Sequence, residues 1–226
     1  MNNYILSETS SAQKEMSAYD ALLNYRFMNL CVKAEVASLM PVTVYVGDDE
    51  CNIEDVADVS LPNEYQMAIY PKNPNNLSAI IQAVYEAHPE FKMEIKSHND
   101  SDEANQRYVL YTMPEVDKNR HDFLNEGVEG LADECRLKID AVYAKYEAKF
   151  VEELAKLPPE VLDEAKQALD NVRKKSQDMA INLLIKKQQE IDDAYARYQE
   201  KQEQEKVEQK DYDVAHGFKM GDSSEE

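Results

Sequence analysis

The sequence predicts an α+β protein of two domains: an elongated antiparallel three-helix bundle, with a small β/α/β insert between its first and second helices. Long segments with apolar residues three and four apart flank the stretch 42–114 and contain almost no glycine. Within that stretch the residues become β-branched and aromatic, cut by turn sequences. The chain then returns as two more helical segments, so the first helix must find its partners across the insert. The expected division is 8–34 with 114–210 for the bundle, 41–111 for the insert and 211–226 for a disordered tail.

The first helix is expected from Ser10, whose hydroxyl suits the free amides of a helix start, with Gln13 three residues on completing a capping-box pattern. Met16, Tyr19, Leu23, Phe27 and Leu30 then mark one buried stripe. Pro41 and the run from Val42 to Val46 switch to strand chemistry, ended by Gly47-Asp48-Asp49. Further strands are expected at 56–61, 65–70, 91–95 and 108–113, in a sheet with one covered face. Asn73-Pro74 opens a short helix carrying Leu77, Ile80, Ile81 and Val84 onto that sheet. The polar stretch 97–105 reads as a solvated hairpin loop.

Asp117 is a suitable cap for a second bundle helix bearing Leu124, Val128, Leu131, Cys135, Ile139, Val142, Tyr146, Phe150, Leu154 and Leu157. Pro158-Pro159 stops it. A third helix follows with Leu162, Ala165, Leu169, Val172, Ser176, Met179 and Leu183, then Ala194 and Tyr198. These spacings, joined by a tight connection, call for a helical hairpin that the first helix completes as a coiled-coil-like bundle. The stretch 199–210, almost wholly charged or amide-bearing, reads as a solvated helix end.

The formal charge is -20, from 45 acidic against 25 basic residues, which opposes binding to nucleic acid through bulk electrostatics. Any RNA contact must therefore be local. Cys31, Cys51 and Cys135 lie far apart without a C-x-x-C, which predicts free buried thiols rather than zinc ligands or disulfides and fits a reducing cytosol. No export signal or apolar run of membrane-spanning length is visible, so a cytoplasmic protein away from the membrane is expected. His88, His98, His121 and His216 are scattered and read as surface residues. With no catalytic constellation, phosphate loop or cofactor motif, an enzyme is not expected. Tyr143, Tyr146, Tyr195 and Tyr198 read as core or rim packing.

A helical rod interrupted after its first helix by such an insert resembles ribosome recycling factor. Val44-Tyr45-Val46-Gly47 is similar to that family's V-x-Y-Y-G strand, and Met67-Ala68-Ile69-Tyr70-Pro71-Lys72 to its L-x-I-x-P turn. The stretch from Leu77 to Val84 resembles its I-x-x-I-E-K-A-I helix, and Met113-Pro114-Glu115-Val116-Asp117 through Arg120 sits where it has I-P-P-L-T-E-E-R-R. The motifs are colinear over roughly 10–198. The resemblance implies a non-enzymatic, tRNA-shaped factor that acts on post-termination ribosomes with elongation factor G, and whose bundle arginines contact large-subunit rRNA. It implies no cofactor.

Those arginines are where the chain departs. The family's G-R-A-(N/S)-P after the first helix is here Lys33-Ala34-Glu35-Val36-Ala37, and its V-R-N-x-R-R-D is Ile139-Asp140-Ala141-Val142-Tyr143-Ala144-Lys145. Three arginine positions carry Asp140, Tyr143 and Ala144. The remaining candidates for ribosome contact are Lys33, Arg120, Arg136, Lys138 and Lys145. The densest basic run, Arg173-Lys174-Lys175, is flanked by Asp170 and Asp178 and reads as a solvated face. Two functions stay open: a monomeric recycling-factor-like ribosome binder, or an acidic interaction protein on the same scaffold that binds a basic protein partner without recycling. The first requires Lys33, Arg120, Arg136 and Lys138 to share one exposed face.

Overall fold

The computed structural model describes residues 3–97 and 107–215, with side chains to 212. Helix α1 (Asn3–Asn29) buries Ile5, Ala12, Met16, Leu23 and Phe27. It thus starts a full heptad before the expected Ser10, which lies exposed within the helix. Ile5 extends the apolar stripe upstream, and Tyr4 sets its ring edge-on to Phe150 at 6.2 Å and 76°, so packing rather than a cap fixes where the helix begins.

Helix α4 (Lys118–Glu153) begins as the sequence predicts, with the Asp117 carboxylate accepting from the Arg120 backbone N–H at 2.8 Å. After a turn closed by the Leu157 N–H to the Leu154 carbonyl at 3.0 Å, helix α5 (Pro159–Ala215) runs back. Its 57 residues span about 85 Å at about 1.5 Å per residue. The bundle core joins Met16, Leu23 and Phe27 of α1 to Leu124, Val128, Ile139 and Phe150 of α4 and to Leu169, Ala180 and Ile191 of α5.

Two bundle expectations need correcting. Met179 is 52% exposed, and Ala180 takes the buried position, four residues after the buried Ser176 and so on the same face of α5. Leu157 is exposed beyond the end of α4. Helix α5 also continues through Ala215, five residues into the segment expected to be disordered; 216–226, with His216, lies outside the described residues.

In the insert, β1 (Thr43–Val46) and β2 (Asp49–Asn52) form a hairpin. Gly47, at φ +67, supplies the left-handed turn that joins them. Strand β2 was not expected, since Asp-Glu-Cys-Asn has none of the β-branched residues that mark strands; the turn imposes it. A single helical turn, α2 (Ile53–Val56), leads into β3 (Ala57–Asn63) and β4 (Gln66–Pro71). Helix α3 (Leu77–Ala87) follows, then β5 (Lys92–Ser97) and β6 (Arg107–Thr112).

The four later strands make an antiparallel sheet in the order β3-β4-β6-β5. Its register sets Ile69 opposite Val109 and Met67 opposite Tyr111. On the face these four share, the core continues through Ile80 and Val84 of α3 and Val44 of β1. The expected loop at 97–105 lies, from residue 98 onward and with His98, outside the described residues.

His88, expected at the surface, is only 2% exposed. Its ring stacks on Phe91 at 4.6 Å, and its Nε2 lies 2.7 Å from the Ser38 carbonyl, which makes that nitrogen the donor. The end of α3 is thereby tied to the short 3-10 turn Val36–Leu39. Cys31 and Cys135 are buried free thiols, and Cys51 is a half-buried one.

Bundle and insert meet through few contacts. The Ala34 N–H donates to the Glu64 carbonyl at 2.7 Å, and the Met113 N–H to the Tyr65 carbonyl at 2.9 Å. Arg197 of α5 pairs with Glu64 of the insert at 3.1 Å, and Lys201 pairs with Glu115 in the connection before α4.

Candidate functional site

Because helix α4 packs between α1 and α5, each of its flanks faces one neighbour and a third face remains in solvent. On the α1 flank Glu134 accepts from Arg26 at 2.7 Å, Lys145 donates to Glu15 at 2.7 Å and Lys149 to Glu8 at 2.6 Å. On the α5 flank His121 meets Asp192 at 2.8 Å, Glu147 meets Lys166 at 3.1 Å and Asp140 meets Arg173 at 2.8 Å.

The most structured cluster on α4 is built around that last pair. Arg173 Nε donates to Asp140 Oδ1, and Gln177 Nε2 donates to the same oxygen at 2.9 Å. The guanidinium lies over the Tyr143 ring, 4.8 Å from its centroid. Burial, with help from Asp170, pushes the Tyr143 hydroxyl above its usual range. Two of the three positions that resemble the family's rRNA-contacting arginines thus hold an arginine from the neighbouring helix. Ala144, the third, is exposed.

By sequence alone Arg173 belongs to a solvated run. One indication of its role was available. Asp140 and Arg173, Glu147 and Lys166, and His121 and Asp192 are each equidistant in sequence from the connection at Lys156-Leu157, the relation expected of facing positions in an antiparallel hairpin.

The five sequence candidates do not gather on one face. Arg120 turns inward and is half-buried, its guanidinium donating to the Cys31 carbonyl at 3.0 Å; burial lowers its pKa, although a guanidinium stays charged. Lys33 lies past the end of α1 and pairs with Glu35 at 2.9 Å, which raises its pKa. Arg136 is held by Asp133, one turn earlier on α4. Lys138, two residues on and so on a different side of the helix, lines a groove against Tyr19, Leu22 and Arg26 of α1. Lys145 is drawn to Glu15, whose hydrogen bond raises its pKa. Near them on α4, Asp133 is exposed, while Asp140 and Glu147 lie half-buried along the α5 flank, with side chains 43% and 35% accessible.

At the start of α4, His121 presents Nδ1 to Asp122 at 3.0 Å and Nε2 to Asp192 at 2.8 Å, with Tyr195 against its ring. The hydrogen bonds to Asp122 and then Asp192 raise its pKa. Among the described residues no group of three or more His, Cys, Asp or Glu side chains is arranged to hold a metal ion.

The family model "Ribosome recycling factor" matches residues 27–191. A solution structure of the ribosome recycling factor aligns with TM-score 0.69 at 18% identity, covering 84% of this chain and 98% of that one. A model of the T. thermophilus ribosome recycling factor, described with E. coli elongation factor G on the E. coli post-termination complex, aligns with TM-score 0.54 at 18% identity, covering 83% of this chain and 98% of that one. No curated protein matches the chain.

Proposed function

The chain belongs to the ribosome recycling factor family, and we propose that it acts as a recycling-factor-like protein on post-termination ribosomes, with elongation factor G as its partner. The observation that carries this is the family's architecture, a three-helix bundle interrupted by an insert on two chain connections. In this reading the protein is a cytosolic monomer that works by docking and leverage rather than by bond-making. No described helix is long and apolar enough to cross a membrane.

Docking on rRNA is weakened in this chain. A carboxylate at Asp140 repels phosphate, and the guanidinium beside it is already engaged by that carboxylate. Lys33, Arg120, Arg136, Lys138 and Lys145 remain the candidate contacts, with Arg173 added.

The second reading, an acidic interaction protein that binds a basic protein partner without recycling, is favoured by one observation. Lys33, Arg136, Lys145 and Arg173 are each held by a carboxylate of the chain itself.

Cosedimentation with post-termination ribosomes, at low and physiological salt, separates the two. The unaltered chain is compared with Asp140→Arg/Tyr143→Arg/Ala144→Arg. Saturable binding of the unaltered chain, followed by subunit splitting with elongation factor G, supports the first reading. Binding only by the arginine variant means that the scaffold is kept and the recycling role is lost.

A further inference from the structure

The solvent face of α4 carries a second heptad seam that packs against none of the described residues. Phe123, Gly130, Leu137, Ala144 and Val151 recur at every seventh residue, and all are exposed, Phe123 and Leu137 by 71% and 70%. Gly127, Ala141 and Ala148 recur beside them at the same interval. Glu134 is the charged residue in that second row, and it turns aside to Arg26. Two neighbouring rows at this spacing are what a partner helix needs in order to set its own side chains between them.

The glycines provide an independent observation. Gly127 and Gly130 lie mid-helix, where glycine is a poor helix former, and a Cβ at either would meet nothing within 4 Å. No described residue requires their smallness. A second backbone brought close to α4 from outside would.

Charge selects the occupant. Glu126, Asp133, Asp140 and Glu147 form an acidic row along one border of the seam, again at every seventh residue; since Asp133, Asp140 and Glu147 are already paired with Arg136, Arg173 and Lys166, it is the chain's overall charge that favours a basic occupant. A second copy of the chain would bring its own net charge of -20 to the contact, which opposes self-association. We propose that the outer seam of α4 docks an amphipathic α-helix of a basic protein partner, with Phe123 and Leu137 as apolar anchors either side of the Gly127-Gly130 approach. This rests on the second reading above and gives it a surface.

The test uses the full chain and two labelled synthetic helices of four heptads, each with alanine at a and leucine at d. One carries lysine at e and g, the other glutamate. Fluorescence anisotropy at low salt is expected to show the lysine helix binding at least about tenfold tighter than its twin. Leu137→Asp and Gly130→Leu should each weaken that binding by about tenfold or more, while Ile185→Asp, at an exposed site on α5, changes it less than about twofold. Gly130→Leu should leave the melting temperature unchanged or raised, which separates lost docking from lost folding.

If the lysine helix binds but is indifferent to Leu137→Asp and Gly130→Leu, the basic-partner reading stands and this surface is wrong. If neither helix binds, both fall. If sedimentation shows a dimer of the unaltered chain that Leu137→Asp dissolves, the seam belongs to a second copy and the proposed partner is overturned.

Discussion

Arg173 on α5 reaches across to Asp140 on α4 and donates its Nε–H at 2.8 Å, while its guanidinium plane rests on Tyr143. Both ends of the ion pair are partly solvated, so its worth is limited by screening and side-chain entropy. Asp140→Ala and Arg173→Ala are each expected to lower stability by about 1 kcal/mol or less, with a coupling in a double-mutant cycle of similar size. Asp140→Arg should cost more than Asp140→Ala, because it sets two guanidinium groups side by side. Urea unfolding of the unaltered chain, the two single alanine variants, their double variant and Asp140→Arg measures this.

His121 links the start of α4 to α5 through Asp192 and also faces Asp122, with Lys118 beyond it, Asn125 and Tyr195. Its folded pKa is raised, so its contribution is fully present below the unfolded value of about 6.5 and fades as pH rises through the higher folded value. Urea midpoints of the unaltered chain should fall more between pH 5.5 and 8.5 than those of His121→Gln. The difference is expected to stay below about 1 kcal/mol at this surface site.

Gly127→Ala and Gly130→Ala should each stabilise the protein by about 1 kcal/mol, since alanine is the better helix former and each Cβ enters open space. Thermal unfolding reads the gain directly. A loss in either variant would mean that something packs on these glycines in the isolated chain.

The three thiols should separate by reactivity. Burial pushes Cys31 and Cys135 each up to about 11, which leaves little thiolate near neutrality, whereas Cys51 lies half-buried on β2. Iodoacetamide on the native protein should modify Cys51 first, with the other two slower by on the order of a hundredfold. Peptide mass mapping over time distinguishes them, and in denaturant all three should react alike.

The bundle was readable because its instructions are local. Leu124, Val128, Ile139 and Phe150 announce one face by spacing alone, and Asp117 marks where α4 begins. Strand β2 and the early start of α1 were not readable for the opposite reason. Asp49 to Asn52 are held as a strand by Gly47 and by pairing with β1, and Ile5 is helical because the bundle has a place for it. The candidate site was the least legible part. Arg120 stands at a motif position, yet its long side chain reaches inward to a carbonyl 89 residues away in sequence. Asp140 looked like a bare repulsive charge until α5 supplied Arg173.

Where bundle and insert meet, Arg197 of α5 holds Glu64 of the insert and so acts as a latch beside the two chain connections, while Lys201 holds Glu115 in the connection that leads into α4. The latch is ionic and half-exposed, so added salt should loosen it while leaving the apolar cores of both domains intact. The reach of the molecule thereby becomes a property of its surroundings as well as of its fold.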